Sequence, residues 1–406
     1  MNPLIFTLRN GIRLVHIRTN GLVSHCGLII NTGSADEDEM EHGIAHFTEH
    51  MIFKGTKRRK TFHILSCIED TGGEMNAYTT KDETAVHASF FNEYYSRAID
   101  LITDIVFHSV FPLKEIEKEK EVVLEEINSC RDNPAELIFD DFEEIIFPGQ
   151  PVGRNILGRP ETVKSFSAGM IIEFIRKNYQ TDKMVFCSVG NIDESKIIKL
   201  FERYFSDIPA KLSEGRIVTR SKYKPVSVER KMDTWQCHCI IGNVAYKMKD
   251  SRRPGMALLN NILGGQGLNS RLNMSLREKN GLAYNVESNY NPYCDTGVFS
   301  VYFGTDIQNL GKSIAITGRE LDKLRTTKLG AIQLNKAKNQ IKGYLARSYE
   351  NHENLMLSIG KSLLVFDRID PIEKIYSKID NLTASDLLII AGDIFDRSKL
   401  STLIYK

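Results

Sequence analysis

Residues 44–53 constrain this chain more than any other stretch. They are apolar on nearly every side (Ile44, Ala45, Phe47, Met51, Ile52, Phe53), which predicts a buried helix, yet they carry His46-Phe47-Thr48-Glu49-His50. On a helix His46 and His50 stand one turn apart and Glu49 lies on the same side. Unpaired charge in such a place is costly, so the fold has to bring a partner to these side chains. Two imidazoles that one cation can bridge, with a carboxylate beside them, make a metal ion the expected partner.

A catalytic zinc site takes three protein ligands and keeps a fourth position for water. Residues 112–130 read as a helix rich in acids, with Pro112 suited to its first turn. On a wheel of 100° per residue, Ile116, Val122, Val123, Leu124 and Ile127 share a broad apolar arc. Glu119 and Glu126 fall inside that arc, whereas Glu117, Glu121 and Glu125 fall outside it or at its margin. A carboxylate on an apolar face needs a reason, and a metal or a metal-ligating histidine supplies one. Glu126 is therefore the expected third ligand, and Glu119 the acid that supports a ligand.

Composition narrows the function classes. Lys plus Arg is 53 against 52 for Asp plus Glu, a net charge of +1, so no basic excess points to a nucleic-acid partner. Hydrophobic residues at 42% and charged residues at 26% describe an ordinary globular chain. The seven cysteines include no Cys-x-x-Cys and are odd in number, a pattern that suits free thiols in a reducing, cytoplasmic setting. Cys237-His238-Cys239 is expected on a strand, where both thiols point one way and the imidazole the other. No run approaches the roughly 18 apolar residues of a membrane helix, and no signal peptide is evident.

The chain reads as two halves. Strand-like runs at 4–8 and 12–17 flank a hairpin signal at Asn10-Gly11, and others fall at 24–30, 75–79, 84–90 and 183–189. Helix-like segments fall at 43–54, 61–71, 91–109 and 112–130. Residues 209–226, with Pro209, Gly215, Pro225 and a basic excess, are expected to link a domain at 1–208 to one at 227–406. After the linker the opening pattern returns. The apolar run containing His25 has a counterpart around His238, an offset of 213 residues (238 minus 25), about half the chain. The expected fold class is α+β: two structurally related domains, each a mostly antiparallel sheet packed with helices. No His-x-x-Glu-His recurs near 256–263, so duplication would leave one metal site per chain.

His46-x-x-Glu49-His50 is identified as the inverted zinc motif of the inverzincins. With a third ligand within Glu119-Lys120-Glu121-Val122-Val123-Leu124-Glu125-Glu126-Ile127, the chain resembles the pitrilysin and mitochondrial-processing-peptidase superfamily, in its short two-domain bacterial branch. Its other marks are Gly72-Gly73-Glu74-Met75-Asn76-Ala77-Tyr78-Thr79, Gly153-Arg154-Asn155-Ile156-Leu157-Gly158, Ser270-Arg271-Leu272 and Arg277-Glu278-Lys279-Asn280-Gly281-Leu282-Ala283-Tyr284. The resemblance spans essentially the whole chain.

The resemblance implies a Zn2+-dependent endopeptidase, with two chains closing a chamber around a peptide or unfolded polypeptide. It makes Glu49 the general base, places Asn76 and Ala77 on a substrate-binding edge strand, and makes Arg277 and Tyr284 the pair that grips substrate and steadies the oxyanion. In that arrangement the pair serves the zinc of the partner chain, in a homodimer or a heterodimer with a related chain. His87 stands where the family usually carries an aromatic. A non-catalytic partner subunit of a processing-peptidase-like complex is the alternative; such subunits typically have eroded zinc motifs. Neither nucleic acid nor membrane is an expected partner.

Overall fold

The computed structural model describes residues 3–213, 222–232 and 234–406; residues 214–221 of the expected linker lie outside them. The first half contains β1 (Leu4–Thr7), β2 (Arg13–Arg18), β3 (Val23–Ile30), α1 (Ile44–Met51), α2 (Thr61–Glu69), β4 (Glu74–Thr79), β5 (Thr84–Phe91), α3 (Tyr95–Phe107), α4 (Leu113–Arg131), α5 (Pro134–Ile146), α6 (Pro160–Ser165), α7 (Ala168–Asn178), β6 (Met184–Gly190) and α8 (Glu194–Phe205). The second contains β7 (Ser227–Arg230), β8 (Cys237–Val244), α9 (Arg253–Gly264), β9 (Ala283–Pro292), β10 (Gly297–Thr305), α10 (Leu310–Thr326), α11 (Ala331–Glu350), α12 (His352–Phe366), α13 (Ile372–Asp380), α14 (Ala384–Ile394) and β11 (Ser401–Tyr405).

The strands form two mixed sheets, in the orders β1-β2-β6-β3-β5-β4 and β7-β11-β8-β10-β9. In each half the five-strand order by chain position is first, fifth, second, fourth, third. The first and fifth strands pair parallel and every other pair is antiparallel. Two sheets with the same order and the same strand directions are the duplication that the repeated apolar run suggested; β1 adds a sixth strand to the first. The starts of β3 and β8 lie 214 residues apart (237 minus 23), one more than the spacing of the two histidines.

The chain divides into two compact units, and their limits do not follow a single cut. Ser129–Gly153, which contains α5, belongs to the second unit, and Arg347–Pro371, which contains α12, belongs to the first. The reason lies in the strands. Every residue of β6 is buried, and successive residues alternate between two apolar faces. Phe186, Leu14 and Leu28 face the larger core; Val185, Cys187, Val15 and Ile29 face the other side, where α12 covers them with Leu355, Met356, Ile359 and Leu363. In the second unit α5 places Ile138, Phe142 and Ile146 against Ile240, Leu403 and Tyr405. A sheet apolar on both faces needs two covering layers, and here one layer comes from the distant half of the sequence. Each such buried side chain contributes roughly 1.5–3 kcal/mol, enough to override chain proximity.

On β8, Cys237 and Cys239 enter the helix-covered core, while His238 faces the opposite side and pairs its Nδ1 with the Tyr302 hydroxyl at 2.8 Å. All seven cysteines are free. Among the described residues no helix is long and apolar enough to cross a membrane.

Candidate metal centre

Helix α1 has only eight residues, too short to persist without tertiary support. Its start is built by contacts from outside. Gly43, just before the helix, has φ +96, and a Cβ there would lie 2.6 Å from the Cα of Gly158, itself at φ +85. The two glycines let Leu157 and Gly158 pass directly against the helix start. Glu37, almost fully buried, accepts hydrogen bonds from the amide of Gly43 at 2.8 Å and of Ala45 at 2.9 Å. It thereby satisfies donors that a helix leaves open. Burial pushes its carboxyl up to about 8, against the pull of those two amides. Glu37→Gln keeps the shape but turns an NH2 group toward one amide donor, a loss felt above about pH 8, where the ionised carboxylate accepts from both amides. An unsatisfied buried donor costs about 1–3 kcal/mol, and urea denaturation of the variant is expected to show a loss in that range.

Helix α4 lies opposite α1. Its buried stripe is Ile116, Glu119, Val123 and Ile127, narrower than the arc expected from the wheel. Val122 is exposed, and Glu126 has a 43% exposed side chain. Glu119 is 4% exposed. The stripe follows three- and four-residue steps, so the margins of the arc, including Glu126, are left facing an open side.

The two helices bring the expected cluster together. His46, His50 and Glu126 each offer one ligand atom, and these lie within 4.8 Å of one another. Glu126 Oε2 is 3.7 Å from His46 Nε2 and 3.8 Å from His50 Nε2. These gaps exceed a hydrogen bond. They sit slightly above the separation of about 3.4 Å between two tetrahedral ligands held about 2.1 Å from one zinc ion. Two imidazoles and a carboxylate are also a donor set that zinc takes.

The surrounding charges favour this use. His50 Nδ1 pairs with Glu119 Oε1 at 2.8 Å, and Lys54 Nζ reaches Glu119 Oε2 at 2.7 Å. Burial raises the Glu119 carboxyl, but the bonds from His50 and Lys54 outweigh it and hold the group below its usual range. The ionised Glu119 fixes a proton on His50 Nδ1, which leaves Nε2 as the lone-pair nitrogen on the Glu126 side. Burial pulls His50 down, yet the Glu119 bond and the nearby carboxylates raise its pKa. Burial, aided by His50, depresses His46 to about 3, so it is neutral and able to ligate near pH 7. His46 Nδ1 is buried without a hydrogen-bond partner among the described residues.

Glu49 projects beside the cluster. Burial raises its carboxyl, opposed by a hydrogen bond from Thr79 Oγ1 to Oε2 at 2.6 Å. Thr79 ends β4, the outermost strand of the first sheet, which pairs with β5 alone. Asn76 and Ala77 lie on this same edge strand. His87, their neighbour on β5, pairs its Nδ1 with Glu353 Oε1 at 3.0 Å, a structural contact at the root of α12. Arg277 and Tyr284 belong to the other unit. Arg277 sits on a π-helical turn, Asn273–Glu278. The chain then turns at Gly281 (φ +58) and Tyr284 enters β9, so the two residues bracket the end of the turn. The guanidinium lies 5.1 Å from the Tyr284 ring centroid. Tyr284 is 76% exposed.

Three supporting residues are not evident in the sequence reading. Lys54 is one helical turn past His50 and was within reach of the same spacing argument. Glu37 reads only as part of an acidic loop or first turn. Thr79 is 30 residues from Glu49 and leaves no local signal.

With this geometry established, the chain can be set beside known proteins. Residues 13–160 match the family described as Insulinase (Peptidase family M16), and residues 165–341 match its inactive domain. An uncharacterized zinc protease, YmxG of Bacillus subtilis (strain 168), is 31% identical over 401 residues, covering 98% of this chain and 97% of its own. An uncharacterized zinc protease of Rickettsia bellii (strain RML369-C) is 34% identical over 377 residues, with coverages of 93% and 91%. The crystal structure of a protease from Helicobacter pylori shares the fold with a TM-score of 0.90 at 22% identity, covering 100% of this chain and 99% of that one.

Proposed function

The chain belongs to peptidase family M16, and from that premise we propose that it is a zinc-dependent endopeptidase hydrolysing peptides or unfolded polypeptide segments. The observation that carries the reading is the convergence of His46, His50 and Glu126 with Glu49 beside them. The three would hold one zinc ion per chain, and Glu119 would orient His50. A zinc ion there supplies Lewis acidity, which polarises a carbonyl and acidifies water.

The chain's own residues do the rest. Glu49 accepts the proton of the attacking water at its carboxylate and passes it to the leaving amine. The open edge of β4 takes an extended peptide as an added strand, with Asn76 and Ala77 alongside it. Main-chain pairing recognises backbone more than side chains, so sequence preference is loose. Arg277 and Tyr284 grip that backbone and stabilise the developing oxyanion, supplied to each zinc by the second chain of a dimer. The free thiols support a reducing, cytoplasmic setting.

The test is direct. Purified protein loaded with zinc is expected to cleave members of a quenched-fluorescence peptide library, with one zinc per chain and a mass in solution of two chains. A chelator should abolish cleavage and added zinc restore it. A dimer that holds zinc but cleaves nothing would instead identify a non-catalytic member of the family.

A further inference from the structure

We propose that Thr79 is a positioning residue for Glu49: its hydroxyl clamps one carboxylate oxygen and so reserves the other for the proton of the attacking water. The inference rests on the reading of Glu49 as general base. A threonine hydroxyl has one proton, and here it goes to Glu49 Oε2 at 2.6 Å. The other oxygen, Oε1, has no hydrogen bond to any described residue. The carboxylate therefore has one tethered and one open oxygen, and the tether opposes rotation about its last side-chain bond.

The tether works only if the donor is itself fixed, and the structure fixes it on every side. Thr79 pairs with Thr84 at the closed end of the β4–β5 hairpin. The turn is closed by the Thr80 amide on the Glu83 carbonyl at 2.8 Å and by the Glu83 amide on Thr80 Oγ1 at 3.1 Å. The amides of Ser34 and Ala35 hold the carbonyls of Thr80 and Lys81 at 3.0 and 2.9 Å. Glu83, buried, is held in turn by Lys361 Nζ at 3.0 Å and the Tyr78 hydroxyl at 3.2 Å. A catalytic group held by a rigid neighbour keeps its productive geometry, and a displacement near 1 Å costs about a hundredfold in rate.

Thr79→Val keeps β-branching and volume on the strand and removes only the donor; Thr79→Ser keeps the donor. For a peptide that the zinc-loaded protein cleaves, Thr79→Val should lower kcat by about 10–100-fold, as loss of a supporting hydrogen bond typically does. KM should stay within about twofold and zinc content should not change, whereas Thr79→Ser should retain most of the wild-type kcat. In the Glu49→Gln background Thr79→Val should cost nothing further, because the threonine acts through that carboxylate. Full kcat in Thr79→Val, no recovery in Thr79→Ser, or an additive loss with Glu49→Gln would each overturn the proposal. A second readout does not depend on turnover. Crystal structures of the zinc-loaded proteins should show one Glu49 rotamer in wild type and Thr79→Ser, and several in Thr79→Val; an unchanged Glu49 in Thr79→Val overturns the clamp. Inert wild-type protein that still shows this difference would defeat the peptidase reading and leave the clamp standing.

Discussion

Glu49→Gln is expected to retain one zinc per chain and to lose turnover by about a thousandfold, within the range that general acid–base groups contribute. The substitution is nearly isosteric. The Gln amide oxygen can still accept from Thr79 Oγ1, so the side chain keeps its place on α1. What it loses is a basic oxygen. Glu49 is not among the three side chains whose ligand atoms cluster, so metal content should not fall. Because the β4 edge is untouched, KM should move little and the variant should hold an intact peptide that wild type destroys. Metal analysis alongside single-turnover kinetics checks both halves of the claim. Loss of zinc would make Glu49 a ligand, and full activity would remove it from the chemistry.

The parts of this architecture that were readable in the sequence are those with a short period or a fixed spacing. The His46–His50 pair, the hairpin at Gly11, the strand at 75–79 and the alternation of Cys237, His238 and Cys239 are all set by residues within a few positions of each other. Duplication was legible because the run in β3 recurs in β8, and the shared strand order then follows from the same constraint on each half. The wheel on α4 set Glu119 and Glu126 inside one apolar arc, but only Glu119 is buried, so the arc was drawn too wide. An arc counts residue types, whereas the core accepts only the stripe of Ile116, Val123 and Ile127 that meets the neighbouring elements. The exchange of α5 and α12 between units was not legible. Their apolar faces are visible in the sequence, but nothing local states which sheet they cover. Glu37 and Thr79 escaped for a related reason: each supports α1 through contacts made only after folding, from a loop and a strand whose letters look ordinary.

Glu126→Ala should abolish zinc binding at micromolar metal while leaving the fold intact. The side chain is 43% exposed and lies off the buried stripe of α4, so its removal opens no cavity. Its loss leaves two imidazoles on one helix and no ligand from the second, and a chelate of two cannot hold a catalytic zinc as three do. The cost should exceed the roughly 10–100-fold expected for Glu119→Gln, which removes only the group that orients His50. Stability gives an independent view of the same event. A ligand present at about a thousand times its Kd stabilises the folded state by about 4 kcal/mol. For a unit of this size that amounts to a rise on the order of 10 °C in melting temperature. Wild type should therefore melt about that much lower in chelator than in zinc, and Glu126→Ala should melt at the same temperature in both. The two treatments separate the alternatives because they act on different links. If Glu126→Ala still gains stability from zinc, α1 finds its third ligand elsewhere, and the span from α1 to α4 is then packing without coordination. If neither protein responds, His46, His50 and Glu126 converge without coordinating a metal, and hydrolysis has no metal to begin from.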